Sequence, residues 1–419
     1  MAALRRVARS GLAGVAGAAA GALSQFLLVV VVTRVYPVAV AGAFFTAVAL
    51  ALMVAGVAKL DAGNGLVFFI ARAKTYGYRG ISGYVRAALV PVSVLATVAG
   101  VLLWPALGGL ALVLPAMAVT DVLLAACRGF GAMRPTVLLD GLLLPLSQLA
   151  LVAAVAVAGL SAASLPLAWA LPYLPVAGLA ALALRGRAPR TPYLPGTGRD
   201  LWRHTAPRSA AGAIQAVFQR VDIVVVAALG GPAQAAVYTA ATRFKVVGQL
   251  AGQGLAQAAQ PRLVRALAAG DLTRVKELYQ VTTMWLVLAT WPIWVGYAAL
   301  APWLLRVFGP GYDSAVPVAL VLSATMMAAT ACGMVDVVLT AAGHTTSSLL
   351  NLVAAVVCTL LLDLALIPGQ GALGAAFGWS GGVLVKNALP LWQLHHRYGL
   401  RPFGRHSLAA LRPRTWAAA

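Results

Sequence analysis

Acidic residues are scarce in this 419-residue chain: ten in all against 31 Lys and Arg, and only one, Glu277, is a glutamate. That glutamate falls in a loop between apolar segments. No phosphate-binding GxxxxGK loop and no paired His/Glu metal motif occurs, so neither nucleotide hydrolysis nor zinc hydrolase chemistry has residues to run on. Three cysteines, Cys127, Cys332 and Cys358, lie far apart in or at the ends of apolar runs. Without ligand spacing they read as small packing residues, not as a disulfide framework or a metal site. Charge of either sign makes up 10% of the chain and hydrophobic residues 61%, more apolar surface than a soluble fold could bury. A net charge of +21 would suggest nucleic acid in a soluble protein. Its distribution here argues against that partner.

The apolar residues gather into about twelve long runs. A helix crossing lipid needs roughly 20 apolar residues, because the hydrocarbon layer is ~30 Å thick and each residue rises ~1.5 Å. Such runs occur at 11–33, 38–58, 85–104, 107–127, 138–159, 164–184, 209–229, 234–258, 281–305, 316–341, 347–367 and 372–394. The chain is therefore expected to be an all-α integral membrane protein of about twelve transmembrane helices. The basic then apolar N-terminus looks like a signal peptide, but many spans follow it, and it is read as a retained first helix.

The cations test this threading independently. With those spans, 25 of the 31 Lys and Arg fall on one side of the bilayer, and only Arg34 and Arg306 on the other. The rich side takes the N-tail, the segment after span 2 (Lys59 to Arg86), the turn after span 4, the linker after span 6, the loop after span 8 and the C-terminal tail. Cationic loops resist translocation and face anionic lipid, so that side is expected to be cytoplasmic, with both termini there and the protein multi-pass in the cytoplasmic membrane.

Around residue 200 the chain looks duplicated. VVVTRVYPVAVAGAFFTA (30–47) runs parallel to VVVAALGGPAQAAVYTA (224–240), each with a β-branched run, a Gly/Pro break and an aromatic, Phe44 or Tyr238, opening the next helix. RGFGAMRPTVLLDGLLLP (128–145) aligns with TAAGHTTSSLLNLVAAVV (340–357), setting Gly131 beside Gly343. Six spans per half mean that both halves enter from the same side, a parallel repeat about an axis along the membrane normal. The expected parts are a six-helix lobe at 1–186, a Pro-, Gly- and Arg-rich linker at 187–207, a second six-helix lobe at 208–397 and a basic tail at 398–419.

An ionisable group inside a span costs several kcal/mol unless protein, a partner or water receives it. Arg220, Asp222, Arg243, Lys245 and Lys386 fall within spans 7, 8 and 12, and Asp121, Asp140, Asp336 and Asp363 in or near spans 4, 5, 10 and 11. Arg220 and Asp222, two residues apart, diverge on a helix and need other partners. Tyr238 and Lys245 would share a face at i, i+7. The cations give the second half a basic interior suited to an anionic substrate. Plainer roles compete: Asp121, Asp140 and Asp363 reaching interfacial water, Arg220 and Asp222 bracing neighbouring helices, and Gln249, Gln253 and Gln257 bonding between helices.

The second half resembles polysaccharide flippases of the Wzx type, in the superfamily that also holds the MATE multidrug exporters and the lipid II flippase. The resemblance rests on GGPAQAAVYTAATRF (230–244), AQPRLVRALAAGD (259–271), LLRVFGPGYDSAVPVALVLS (304–323), LTAAGHTTSSLLNL (339–352) and LLDLALIPGQGALGAAFGWS (361–380). TRVYPVAVAGAF (33–44) carries it more loosely into the first half. The resemblance implies two six-helix bundles working by alternating access, no enzymatic activity, and transport of an undecaprenyl-pyrophosphate-linked oligosaccharide for polysaccharide biosynthesis at the cell envelope. For such a cargo the cations within the spans, Arg220, Arg243, Lys245 and Lys386, are expected to hold the anion, with Arg34 at the outer mouth and Asp222 orienting. Its partners would be the lipid-linked glycan, membrane lipids, a polysaccharide polymerase and glycosyltransferases. The rival reading is a cation-coupled multidrug or metabolite exporter of the same fold, with Asp140, Asp222 or Asp336 as the proton or sodium site and no resident cofactor. Asp363 stands where many relatives have asparagine, and the chain is unusually poor in acid.

Overall fold

In the computed structural model the described backbone covers residues 2–78, 80–188 and 191–407; the side chains of 2–16, 18, 245–251, 253, 257 and 258 lie outside the description. Among the described residues every regular element is helical. The chain divides into two compact units, Met1–Val224 and Val225–Ala419.

The first unit contains α1 (Ala2–Val35), α2 (Val38–Ala58), α3 (Ala62–Thr75), α4 (Ile81–Leu102), α5 (Trp104–Gly129), α6 (Thr136–Val157), α7 (Ala162–Arg185) and α8 (Thr197–Phe218). α9 (Val221–Gly230) straddles the boundary between the units. The second unit holds α10 (Pro232–Thr242), α11 (Lys245–Ala268), α12 (Leu272–Arg306), α13 (Tyr312–Ala341), α14 (Thr345–Gln370) and α15 (Ala372–Tyr398). Among the described residues, eight helices are long and apolar enough to cross a membrane. The α8–α9 pair, bent by 45°, makes a ninth. Span 2 coincides with α2, spans 9, 11 and 12 lie within α12, α14 and α15, and span 8 is divided between α10 and α11.

Two expectations need adjustment. The basic stretch after span 2 is not all loop, because fourteen of its residues form α3, whose Leu66, Phe69, Ile70 and Ala73 are buried. The lobe linker was placed at 187–207, yet the contact boundary lies at Val224. α8 begins inside that linker and packs on α2, α3 and α4. The cause is visible in the side chains. The Trp202 indole donates to the Ala87 carbonyl (3.0 Å), Arg208 pairs with Asp61 (3.1 Å), and Ser209 donates to the Leu60 carbonyl.

The repeat has a clear local counterpart. α5 ends with Gly131 at φ 81°, and the helix ending at Ala341 closes with Gly343 at φ 85°. Gly131 N–H bonds to Arg128 O and Ala132 N–H to Cys127 O; Gly343 N–H bonds to Thr340 O and His344 N–H to Leu339 O. The two ends make the same pair of capping bonds, in the left-handed conformation that glycine adopts without steric cost. The two aromatics paired by the repeat, Phe44 and Tyr238, are both buried.

In the second unit, α14 and α15 form the most extensive helix pair. Gly374, Gly378 and Gly382 recur every fourth residue along α15. A Cβ on Gly374 would meet the Leu366 backbone, and one on Gly378 or Gly382 would run into Asp363 or Thr359. Small residues at this spacing let two backbones approach closely, the chief source of helix association in lipid, where hydrophobic burial gives little.

Candidate functional site

Polar groups within the spans gather in two places, one in each unit. In the first unit a string runs across several helices. Gln25 of α1 donates from Nε2 to Gln148 Oε1 of α6 at 2.8 Å. Gln148 is buried and lies beside the Tyr173 hydroxyl of α7, within reach of its amide. Tyr173 is within electrostatic reach of Asp121, Asp140 and Arg220. Asp121 is ion-paired with Lys59 at 3.1 Å.

Asp140 sits in the π-helical opening of α6, Thr136–Leu143. A π segment leaves a bulge in the helix and is frequent at functional sites. Gly141 takes part in a close crossing there, since a Cβ on Gly21 of α1 would meet the Gly141 carbonyl at 2.7 Å. Asp140 is exposed and lies within electrostatic reach of Asp121, Arg128 and Lys59.

Arg220 stands at the 45° bend between α8 and α9, with Asp222 in the first turn beyond it. Asp222 is buried and its Oδ1 accepts from the Ile223 N–H at 2.9 Å. Arg220 is within electrostatic reach of both Asp222 and Tyr173. The two charges expected to diverge on one helix lie at the break between α8 and α9.

In the second unit, Lys386 on α15 lies within electrostatic reach of Asp336 on α13. Asp336 accepts from the Ser348 hydroxyl of α14. One turn further along α14, Asn351 exchanges two amide hydrogen bonds with Gln393 of α15, at 2.9 and 3.0 Å. Lys386 was expected to bind cargo and Asp336 to couple an ion; they share one cluster.

Arg243 caps α10 at a break before α11. The Tyr297 hydroxyl donates to the Ala241 carbonyl at 2.8 Å and its ring stacks on Phe244 at 4.5 Å, which accounts for the interruption. Tyr238 lies on α10, before this break. The Lys245 side chain, like those of Gln249, Gln253 and Gln257, lies outside the described residues. Arg34 is exposed in the last turn of α1. Asp363 is buried on α14 against Gly378.

Sequence reasoning passed over Gln25, Gln148 and Tyr173. Gln148 was legible as the one amide in an otherwise apolar run, LPLSQLALVAAVAV. Tyr173 looked like an interfacial aromatic. Among the described residues no group of three or more His, Cys, Asp or Glu could hold a metal ion.

Residues 207–366 match the MatE family profile. No curated protein sequence matches the chain. Solved structures with similar folds include an inward-facing multidrug resistance MATE transporter of the MOP superfamily, 16% identical, with TM-score 0.73 over 90% of this chain and 94% of that one. The lipid II flippase MurJ in an inward closed conformation is 10% identical, with TM-score 0.74 over 95% and 90%. A MOP superfamily transporter from Pyrococcus furiosus, whose binding pocket is described as reversed in polarity, is 16% identical, with TM-score 0.54 over 92% and 95%. The chain thus has the all-helical fold of these solved structures, and its residues 207–366 match the MatE profile.

Proposed function

We propose that this protein is a flippase that carries a polyprenyl-pyrophosphate-linked oligosaccharide from the cytoplasmic to the outer leaflet of the cytoplasmic membrane by alternating access. The observation that carries this reading is the sign of the charge held inside the spans. Arg220, Arg243 and Lys386 occupy or flank helix breaks and helix interfaces in a chain with only ten acidic residues. Fixed cations replace the hydration of a pyrophosphate, and amide and hydroxyl groups such as Gln148 and Tyr173 replace the hydration of sugars, while the lipid tail stays in hydrocarbon. Likeness of fold to a lipid II flippase is in keeping with a lipid-linked cargo. Arg34 guards the outer mouth and Asp222 orients Arg220. Polymerase and glycosyltransferases of the same assembly line are the natural partners, and both termini face the cytoplasm.

Neutralising Arg243 or Lys386 abolishes polymer export in cells while the protein stays in the membrane. Normal export in both Arg243→Gln and Lys386→Gln would overturn the assignment.

A second reading, a cation-coupled exporter of drugs or metabolites, is favoured by the Asp121–Asp140–Tyr173 group in the first unit and by the MatE segment. There Asp140, Asp222 or Asp336 would take the coupling proton or sodium. Drug accumulation in a strain without efflux pumps separates the two: lowered accumulation that disappears in Asp140→Asn supports the exporter.

A further inference from the structure

Three cavities of the first unit open around the last turn of α3, and one of them reaches the first turns of α8. One, of about 650 Å³, has Arg72 on its α3 wall and Arg203 with His204 on its α8 wall. Two more, of about 520 and 760 Å³, adjoin it past Lys74 and Tyr78. Asp200 is the one acid in the first lining, so cations prevail. Among the described residues neither the Arg72 nor the Arg203 guanidinium is ion-paired with a carboxylate.

The floor is aromatic and rigid. Phe69 stacks on Tyr84 at 5.0 Å and Phe68 on His204 at 4.8 Å, while the Arg72 guanidinium lies 6.0 Å from the Tyr76 ring centre. α3 is pinned from beneath by its buried Leu66, Ile70 and Ala73, and Lys74 donates to the Phe130 carbonyl at 3.2 Å.

Cations alone would suit any phosphate, including a soluble one. The rim decides between them: Phe68 is 47% exposed and Tyr76 78% exposed, and both line the same cavity as Arg72 and Arg203. An amphipathic helix that shows aromatic rings and basic side chains together, just beyond the end of a span, has the composition of an element lying at headgroup depth. A soluble anion would leave those rings in water, whereas a lipid covers them with its chain.

We propose that this recess is a binding site for an anionic phospholipid, its phosphate held between Arg72 and Arg203 and its acyl chain lying along Phe68. The site involves none of the residues assigned to the cargo and stands whether or not the flippase reading does. It would anchor the first unit at the basic face of the membrane and make its behaviour depend on lipid charge.

Native mass spectrometry of the full-length protein in detergent, titrated with phosphatidylglycerol or phosphatidylcholine, tests this. The wild type is expected to retain phosphatidylglycerol preferentially. The Arg72→Gln/Arg203→Gln double variant should bind it about 30-fold more weakly, about fivefold for each basic residue near an anionic surface, with phosphatidylcholine binding unchanged. Arg72→Lys/Arg203→Lys should restore most of the difference, and Phe68→Ser should weaken retention severalfold with both arginines intact. Equal phosphatidylglycerol binding by wild type and the double Gln variant would overturn the proposal, as would unchanged retention in Phe68→Ser. Displacement of the lipid by excess inorganic phosphate would mark a soluble-anion site and overturn it too.

Discussion

Gly131 in the first unit and Gly343 in the second close their helices with the same pair of backbone bonds, but the segments that follow diverge. After Gly131 the chain enters a π-helical turn carrying Asp140. After Gly343 it enters a regular α-helix, and the residue paired with Asp140 by the repeat is Leu352, next to the amide-bonded Asn351. The turn is set by a backbone requirement that only glycine meets without strain, so both copies retain it. Intramembrane charge has no such backbone requirement. In the first unit Asp121, Asp140 and Tyr173 lie among Lys59, Arg128 and Arg220, while in the second Lys386 lies within electrostatic reach of Asp336.

The largest expected effect tests that division of roles. Lys386→Gln should lower glycan export at least about thirtyfold, as the loss of one desolvated charge contact at about 2 kcal/mol. Asp140→Asn should change export by less than about threefold, because the acid is not a cargo contact. Export measured in cells with matched protein levels decides it; the opposite ranking would place the transported charge in the first unit and favour the cation-coupled exporter.

Next in size is the α14–α15 contact. Gly378→Val puts methyl groups where the Asp363 carboxylate sits, and should destabilise the second unit by about 3 kcal/mol, the upper range for overpacking. A thermal melt in detergent should fall well below wild type; an unchanged melt would mean that the two helices part freely.

The shared turn gives a smaller and more symmetrical effect. Gly131→Ala and Gly343→Ala each force a Cβ into the left-handed region at about 1–2 kcal/mol, and nothing crowds either position. Melts of the two variants should drop by matching amounts, whereas a large drop in one alone would mean that the turns are not equivalent.

Smallest is the contrast between two buried amides. Asn351→Leu breaks a reciprocal pair and should cost about 0.6 kcal/mol, the typical value of an interhelical hydrogen bond in lipid. Gln148→Leu removes a single bond to Gln25 and the amide beside Tyr173, and should lower the melt less than Asn351→Leu while reducing transport. A fall in the Gln148→Leu melt as large as that of Asn351→Leu would make Gln148 a structural brace.

Span positions were legible because hydropathy is a one-dimensional property of the chain, and α2 and α15 fall where their apolar runs lie. The GALGAAFGWS stretch was legible as a close helix contact for the same reason: spacing of small residues is visible in sequence. Breaks inside helices were harder. Nothing in VYTAATRFKVV announces the break at Arg243, beside which Tyr297, far along the chain, bonds to the Ala241 carbonyl. α3 was hidden by its basic residues, which signalled the side of the membrane more strongly than its Leu66–Phe69–Ile70–Ala73 spacing signalled a helix. The site was partly legible. Isolated charges within apolar runs marked Arg220, Asp222 and Lys386, but which groups lie near them depends on tertiary packing, so the nearness of Asp336 to Lys386 and of Tyr173 to Arg220 came only with the fold.

Reconstituted transport tests the central claim most directly. Purified protein in liposomes, given a fluorescent polyprenyl-pyrophosphate-linked oligosaccharide in one leaflet, should expose the label to a membrane-impermeant quencher from the other side. Lys386→Gln liposomes should show only the background of protein-free vesicles. Wild-type protein that leaves this lipid where it was placed, yet moves a cationic dye across the same bilayer, would contradict the flippase account.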